Sequence, residues 1–156
     1  MIETDDLMEI VTTVLTEREL KWLVVNDESV IVRIRDDHAT YDIFIVANPL
    51  TRMVWCYCIY SARVPVDRRS AVVELLNLIN WRTAIGNFEL DMSDGELRFR
   101  TTIDVEGGEL APKMMHTLFN ACLYNGGRYH ETVMRVAFGD VEPAAALTAL
   151  LETEAK

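Results

Sequence analysis

Two cysteines, Cys56 and Cys58, alternate within a segment whose composition predicts a β-strand, so both thiols point to the same face of a sheet. Thiolates at this spacing can contribute to a zinc site, but the sequence nearby offers no further ligands to complete one. Because free cysteines are among the most frequently buried residues, we interpret the pair as small core hydrophobes.

Four more residues of ligating or nucleophilic type share one predicted long helix: His116, Cys122, His130 and Glu131. His116 and Cys122 lie about 240° apart on the helical wheel, so they do not face each other. The HExxH spacing of zinc proteases is absent. Surface or hydrogen-bonded histidines are therefore the simpler interpretation of this helix.

Two loops also carry groups that could bind a ligand. Asp36-Asp37-His38 could hold a metal, although such residues are commoner in solvated turns. Glu106-Gly107-Gly108-Glu109 precedes a helix, as phosphate-binding loops do, but its glutamates would repel phosphate. GxxxxGK(S/T), GxGxxG and GxSxG motifs are absent. The sequence predicts no catalytic residue, no cofactor and no metal site, and it favours a protein that is not an enzyme.

The composition limits the class of protein. The chain has 156 residues, 50% of them hydrophobic, and a formal net charge of -10, which predicts one folded domain over residues 1–156. Negative charge repels phosphate backbones and anionic lipids, so we expect no nucleic-acid or membrane partner. The acidic start lacks the basic region of a signal peptide, and no apolar run approaches the roughly 18 residues of a membrane span. Three cysteines fit reduced thiols, so we expect a cytoplasmic location.

Helical periodicity predicts an amphipathic helix over residues 5–18, with Asp5 or Asp6 as its N-cap. Apolar residues also keep helical phase from 112 to about 138, which predicts one long helix, with or without a kink. A last helix is expected over about 141–153.

A further helix is predicted over about 67–82, with Asp67 as its cap. Leu78 and Trp81 widen its apolar face. Asn77 and Asn80, near its end, could contact a ligand, or their side chains could tie the helix to the turn that follows.

Strand-like runs follow the first helix and are joined by short turns, which favours antiparallel pairing. They are Lys21–Val25, Val30–Arg35, Thr40–Ala47 and Arg52–Tyr60. The predicted order is α-β-β-β-β-α-β-β-α-α, which indicates an α+β fold with a mostly antiparallel sheet packed on helices.

Asp94-Gly95 predicts a two-residue turn between strands at 87–92 and 96–103. In that register Leu90 faces Phe99, and the charged residues pair as Asp91–Arg98 and Glu89–Arg100. The side chains expected to point inward are Phe88, Leu90, Met92, Leu97 and Phe99.

The spacing of several residues resembles that of a known family. The pattern Leu76-Asn77-x-x-Asn80, then Gly86-x-Phe88-x-x-Asp91, the hairpin, and a helix ending in Val136-x-x-Gly139 is similar to the YbjN family of bacterial sensory-transduction regulators. The resemblance implies a fold like that of the type III secretion chaperones, which are small acidic dimers that bind protein segments. It carries over no catalytic residue. The extra C-terminal helix and the four-stranded first half depart from the family's simplest pattern.

One strand pair has an unusual outer face. If Asn48–Thr51 is a four-residue loop, Val46 faces Met53 and Phe44 faces Trp55. One face then holds Tyr41, Ile43, Ile45, Val54, Cys56 and Cys58 and packs on helices. The other is the candidate partner or dimer surface: Phe44, Val46, Met53, Trp55, Tyr57 and Ile59. An open sheet face is normally polar, so we expect the last helix, a second subunit or a client segment to cover it.

These observations lead to two hypotheses of function. The first is a non-enzymatic protein-binding module, chaperone-like or regulatory, which holds a protein client and forms a homodimer through part of this face. The alternative is a small-molecule-sensing regulatory domain with a pocket between the sheet and the long helix, around Gly126.

Overall fold

The computed structural model describes residues 6–37 and 39–156, so Asp5, one of the two proposed caps, and His38, one of the proposed loop ligands, lie outside the described residues. The elements are α1 (Leu7–Glu17), β1 (Trp22–Asn26), β2 (Ser29–Arg35), β3 (Thr40–Asn48), β4 (Met53–Ile59), α2 (Arg69–Asn80), β5 (Asn87–Leu90), β6 (Leu97–Asp104), α3 (Pro112–Arg128), α4 (His130–Phe138) and α5 (Pro143–Glu154).

The strands form one antiparallel sheet in the order β1-β2-β3-β4-β6-β5. Helices α1 and α3 lie against its inner face, α2 packs beside β5, and α4 and α5 pack on α2. The core lies between the sheet and this helical layer. The predicted α+β class and element order are confirmed.

Helix α1 begins as predicted, because the Asp6 carboxylate accepts hydrogen bonds from the backbone N–H groups of Met8 and Glu9. Helix α2 does not begin at an Asp67 cap. Asp67 lies in a 3₁₀ turn after Pro65, and α2 starts at Arg69 without a side-chain cap. Because α2 ends at Asn80, Trp81 lies beyond the apolar stripe, and it is 90% exposed rather than part of the core.

The predicted long helix is kinked at Tyr129, which separates α3 from α4. Helical hydrogen bonds continue across the kink, since the Tyr129 N–H reaches the Asn125 carbonyl and the Val133 N–H reaches the Tyr129 carbonyl. Gly126 brings α3 close to the sheet: a Cβ there would lie 2.5 Å from the Cys58 sulfur. The kink then directs α4 away from the sheet and onto α2.

The register between β3 and β4 differs from the predicted one by two residues. Val46 pairs with Trp55 and Phe44 with Tyr57. The loop begins one residue later than predicted, because the Asn48 side chain accepts hydrogen bonds from the N–H groups of Leu50 and Thr51, and Arg52 closes the loop with φ of 56°. An even shift keeps every side chain on its predicted face.

The 87–104 hairpin shows the same two-residue shift. Asp91 and Glu96 close a four-residue loop instead of a two-residue turn, and the Asp91 carboxylate accepts hydrogen bonds from Ser93. Phe88 therefore pairs with Phe99, and Glu89 pairs with Arg98. Met92 was expected inward but lies in the loop and is 53% exposed. The predicted Asp91–Arg98 pair is likewise wrong, because Glu89 binds both Arg98 and Arg100.

Candidate protein-binding surface

The outer face of the sheet carries the six apolar residues that the sequence placed there. Phe44, Val46, Met53, Trp55, Tyr57 and Ile59 are all partly buried, whereas their neighbours on the inner face are fully buried. The Phe44 and Tyr57 rings stack with centroids 6.5 Å apart, and the Arg98 guanidinium lies 4.5 Å from the centre of the Tyr57 ring. The residues thus cover one another in part and form one continuous surface across β3 and β4.

The last helix does not cover this face. Helix α5 packs on α2 and α4, where it buries Pro143, Ala146 and Leu147. This packing is in the helical layer, on the opposite side of the sheet. The expectation that α5 folds over the six apolar residues, one of three alternatives, is therefore wrong.

Charged pairs flank the apolar surface on two sides. Arg33 binds Asp42 with a nitrogen–oxygen distance of 2.7 Å, and the hydrogen bond from Arg33 lowers the pKa of Asp42. On the other side, Glu89 binds Arg98 and Arg100, each at 2.8 Å. An apolar centre with a charged rim is the usual composition of a protein-binding surface.

Strand β1 is the most exposed apolar segment of the sheet, and the sequence analysis did not single it out. Leu23, Val24 and Val25 are 75%, 70% and 50% exposed. Strand β1 lies at one edge of the sheet and pairs only with β2. The apolar run was visible in the sequence, but its place at the edge depends on the long-range strand order.

The opposite edge, β5, is closed at Phe88 mainly by the Asn80 side chain, and the Asn87 side chain also donates a hydrogen bond to the Phe88 carbonyl. The Asn80 amide accepts a hydrogen bond from the Phe88 N–H at 2.8 Å and donates one to the Phe88 carbonyl at 3.2 Å. These two contacts replace those that a neighbouring strand would make. The sequence analysis left two roles open for Asn80, contact with a ligand or a tie between the helix and the segment that follows, and the structure shows the second. Asn77 is exposed on the same helix.

A cavity of about 870 Å³ lies where the end of β2, the α3–α4 kink and the end of α5 meet. Its walls include Ile34, Leu123, Tyr124, Gly127 and Leu150. Arg128 closes one side by binding Glu154 through two hydrogen bonds, which lower the pKa of Glu154. The alternative hypothesis placed a pocket between the sheet and the long helix around Gly126; Gly126 itself packs on Cys58, and the cavity lies beside the next residue, Gly127.

The polar groups of this cavity include Asp36 and His130. The His130 ring packs edge-on against Tyr41 with centroids 5.6 Å apart, and Tyr60 lies 5.0 Å from the same ring. Burial, with the nearby Asp36 carboxylate, raises the pKa of Tyr41 to about 12. Tyr60 donates a hydrogen bond to the Gly126 carbonyl. The Tyr60 hydrogen bond thus secures the kinked helix to the sheet, and Tyr41 contacts α4 by ring packing on His130.

The three thiols are buried in the core between β4 and α3. Burial raises the pKa of Cys56 and of Cys58 to about 12, and it raises the pKa of Cys122 as well. A protonated, inaccessible thiol is a poor nucleophile and a poor metal ligand. The residues act here as core hydrophobes.

His116 connects α3 to α1. Its ring lies 3.3 Å from the Glu17 carboxylate and 3.4 Å from the Arg18 guanidinium. Within residues 6–37 and 39–156, no three His, Cys, Asp or Glu side chains converge on a point where they could hold a metal ion. None of the helices in that part of the chain is both long enough and apolar enough to cross a membrane.

A family model described as "Putative bacterial sensory transduction regulator" matches residues 8–131. The chain belongs to the YbjN family. No curated protein matches it. The match ends before α5, the helix that contributes Leu150 and Glu154 to the cavity.

Solved structures share the fold of this YbjN-family chain. A chain of the ExsC–ExsE complex superimposes with a TM-score of 0.59 at 13% identity, covering 84% of this chain and 96% of that one. YbjN from E. coli gives 0.56 at 13% identity, covering 81% and 87%. A chain of the HopA1–SchA chaperone–effector complex gives 0.54 at 13% identity, covering 80% and 92%. At this level of identity the likeness establishes the fold alone.

Proposed function

We propose that this YbjN-family protein is a non-enzymatic, cytoplasmic binding module that holds a segment of another protein on the outer face of its sheet and acts as a homodimer. The observation that carries the proposal is the apolar surface around Trp55, which the chain's own helices leave uncovered. Burying such side chains contributes about 25 cal/mol per Å² before the cost of association. A partner segment of a few apolar residues is enough to use it.

Family and fold support this proposal. Among the proteins with the same fold are a chaperone–effector complex and the ExsC–ExsE complex, so this architecture does hold protein partners elsewhere. The net charge of -10 favours a partner with basic groups beside its apolar ones. The reduced, buried state of all three thiols suits a cytoplasmic location.

The test compares proteins captured from the source organism by tagged wild type, Trp55→Asp and Trp81→Asp. Trp81 is a matched control, because it is 90% exposed and lies at the end of α2, away from this face. We expect the same partner with wild type and Trp81→Asp and its loss with Trp55→Asp. Thr102→Arg is a second variant that obstructs this surface without changing Trp55, because the exposed Thr102 on β6 pairs with Trp55 on β4. Equal capture by all four proteins would refute the proposal.

A second candidate function has its own observation. The cavity beside Gly127 is large enough for a small molecule and has apolar walls with a few polar groups, which is typical of ligand pockets. In this alternative the protein senses an amphipathic small molecule there. The ligand would contact α5, so its binding would change how firmly that helix packs.

The probe for this alternative is the dye ANS, which fluoresces in apolar sites. Gly127→Leu fills the cavity, and a Cβ at this position meets only ordinary contacts, 3.8 Å from Asp36 and 4.0 Å from Tyr41. Sensing predicts that Gly127→Leu abolishes dye binding while Trp55→Asp retains it. The reverse pattern would assign the dye to the sheet face and contradict the alternative.

A further inference from the structure

We infer that two copies of this chain pair through the exposed edge of β1, antiparallel to each other, and so join their sheets into one. The inference rests on the homodimer of the proposed function and specifies its contact. It moves the dimer contact away from the Trp55 surface and leaves that surface free for the protein partner.

The first observation is the exposed edge itself. β1 has the sequence Trp22-Leu23-Val24-Val25-Asn26 and contains no charged residue and no proline, two of the features that usually protect an edge from pairing. Its register with β2 is irregular between Val24 and Asn26, next to the turn, so the regular part of the edge is Trp22–Val24. Leu23 and Val24 point to opposite faces and are 75% and 70% exposed, so neither face of the strand is covered there. Apolar side chains in solvent beside unpaired backbone groups favour the addition of another strand.

The second observation is the charge at the two ends of β1. Exposed Lys21 precedes the strand, and exposed Asp27 follows it. In an antiparallel pair with its two-fold axis at Val24, the Lys21 end of each copy meets the Asp27 end of the other, where the long Lys21 side chain can reach the Asp27 carboxylate in the turn. Both ends of the contact then carry opposite charges, and its centre is apolar. A parallel pair would instead place like charges together.

The third observation is that the other edge of the sheet, β5, is not available for pairing with a second copy. Asn80 already bonds both outward-facing backbone groups of Phe88, and α2 packs beside β5. The sheet therefore offers a second copy only one edge with unpaired backbone and exposed apolar side chains within the described residues.

The pairing has a consequence for function. A two-fold axis perpendicular to the sheet keeps both outer faces on the same side, so two Trp55 surfaces lie in one twelve-stranded sheet. A partner with two apolar segments can then bind both copies at once, and its affinity increases by the effective concentration of the second site.

The experiment measures molar mass by sedimentation equilibrium from below one micromolar to tens of micromolar. Wild type is expected to dimerise in this range. Val24→Lys places two like charges at the axis and is expected to weaken dimerisation at least a hundredfold, whereas Leu50→Lys, at an 88% exposed loop position, is the matched control and leaves it unchanged. Circular dichroism confirms that each variant is folded.

A charge exchange makes the test specific to the antiparallel pair. Lys21→Glu alone and Asp27→Lys alone are each expected to weaken dimerisation by about tenfold, and the double variant to restore it, because exposed ion pairs contribute up to about 1 kcal/mol each. A wild-type monomer at tens of micromolar, or a dimer that survives Val24→Lys, would overturn the inference. Partner capture by Val24→Lys reports separately on the proposed function, since that variant keeps the Trp55 surface.

Discussion

At one edge of the sheet, β5, the Asn80 side chain occupies the backbone groups that another strand would use, whereas at the other edge, β1, three consecutive apolar side chains lie in solvent. β5 has four residues, carries Glu89 in an ion-pair network, and is flanked by α2. β1 has neither a charge nor a helix along its free side. The same sheet is thus protected at one end and left able to pair at the other.

This difference shows that edge protection is a local property built from particular side chains. Asn80, at the end of a helix, closes β5 at Phe88 together with Asn87, and the absence of such side chains at β1 leaves an edge that can pair. Natural sheets rarely leave long apolar edges unprotected, so an exposed one indicates an interaction. The predictions below test the two edges separately.

The largest effect on stability is expected at Gly86, just before β5 begins. Gly86→Ala combines a φ of 86° with a Cβ 2.6 Å from the Phe99 ring and the Arg100 carbonyl. We expect a loss of about 3 kcal/mol in the free energy of unfolding, from backbone strain and overpacking. Gly107→Ala is the control, because its φ is 74° but no atom lies within 4 Å; about 1 kcal/mol is expected there. Urea unfolding measures both, and equal losses would contradict the close packing at this edge.

The second effect is the closure of β5 by Asn80. Asn80→Ala removes the side chain that bonds the partly buried Phe88 N–H, while the Phe88 carbonyl keeps the hydrogen bond from Asn87, so we expect a loss of about 1–3 kcal/mol in unfolding free energy. Asn77→Ala, at an exposed position on the same helix, should change stability by less than about 0.5 kcal/mol. Unfolding in urea compares the two variants. If they are equally stable, the amide does not secure the edge.

The third effect concerns β1 in the monomer. Val24→Lys is expected to change the unfolding free energy by no more than about 0.5 kcal/mol, because the side chain is 70% exposed. The measurement is made at submicromolar concentration, where dimerisation does not contribute. A loss above about 2 kcal/mol would mean that the chain itself buries Val24, and the contrast between the edges would fail.

The smallest effect concerns the Arg33–Asp42 ion pair, which flanks the outer apolar surface on the side of β1. Arg33→Gln should raise the pKa of Asp42, because the hydrogen bond from Arg33 is the main cause of its lowering. Since the folded pKa lies below the unfolded value of about 3.9, the contribution of this pair to stability is present above about pH 4 and is lost as the pH falls through the folded pKa. An NMR titration of Asp42 checks this, with Arg33→Lys as the charge-retaining control. An unchanged pKa in Arg33→Gln would assign the lowering to another group.

Much of the fold could be predicted from the sequence, because periodicity is local information. The period of two in β3 and β4 assigned the faces, and the helical phase from Met115 to Ala137 identified the buried stripe across the kink. Both hairpin registers were wrong by two residues. The loops are set by the Asn48 and Asp91 side chains, which bond backbone groups just inside each turn. The turn motifs alone did not reveal this.

The candidate surface was only partly predictable. The six apolar residues around Trp55 followed from alternation, but what covers them depends on where α5 packs, which no local pattern specifies. The exposed edge at β1 was missed because strand order is a long-range property. The expected pocket around Gly126 is not there, because Gly126 packs on Cys58; the cavity lies beside Gly127, and its walls from α5 depend on the Arg128–Glu154 contact between residues far apart in sequence.

The most direct test of the difference between the edges is amide hydrogen exchange at low and high protein concentration. The Phe88 amide, bonded to Asn80, should be protected at both concentrations. The amides of β1 that point away from β2 should exchange rapidly in the dilute monomer and become protected as copies pair. Protection of those β1 amides that does not depend on concentration, or rapid exchange at Phe88, would contradict the account.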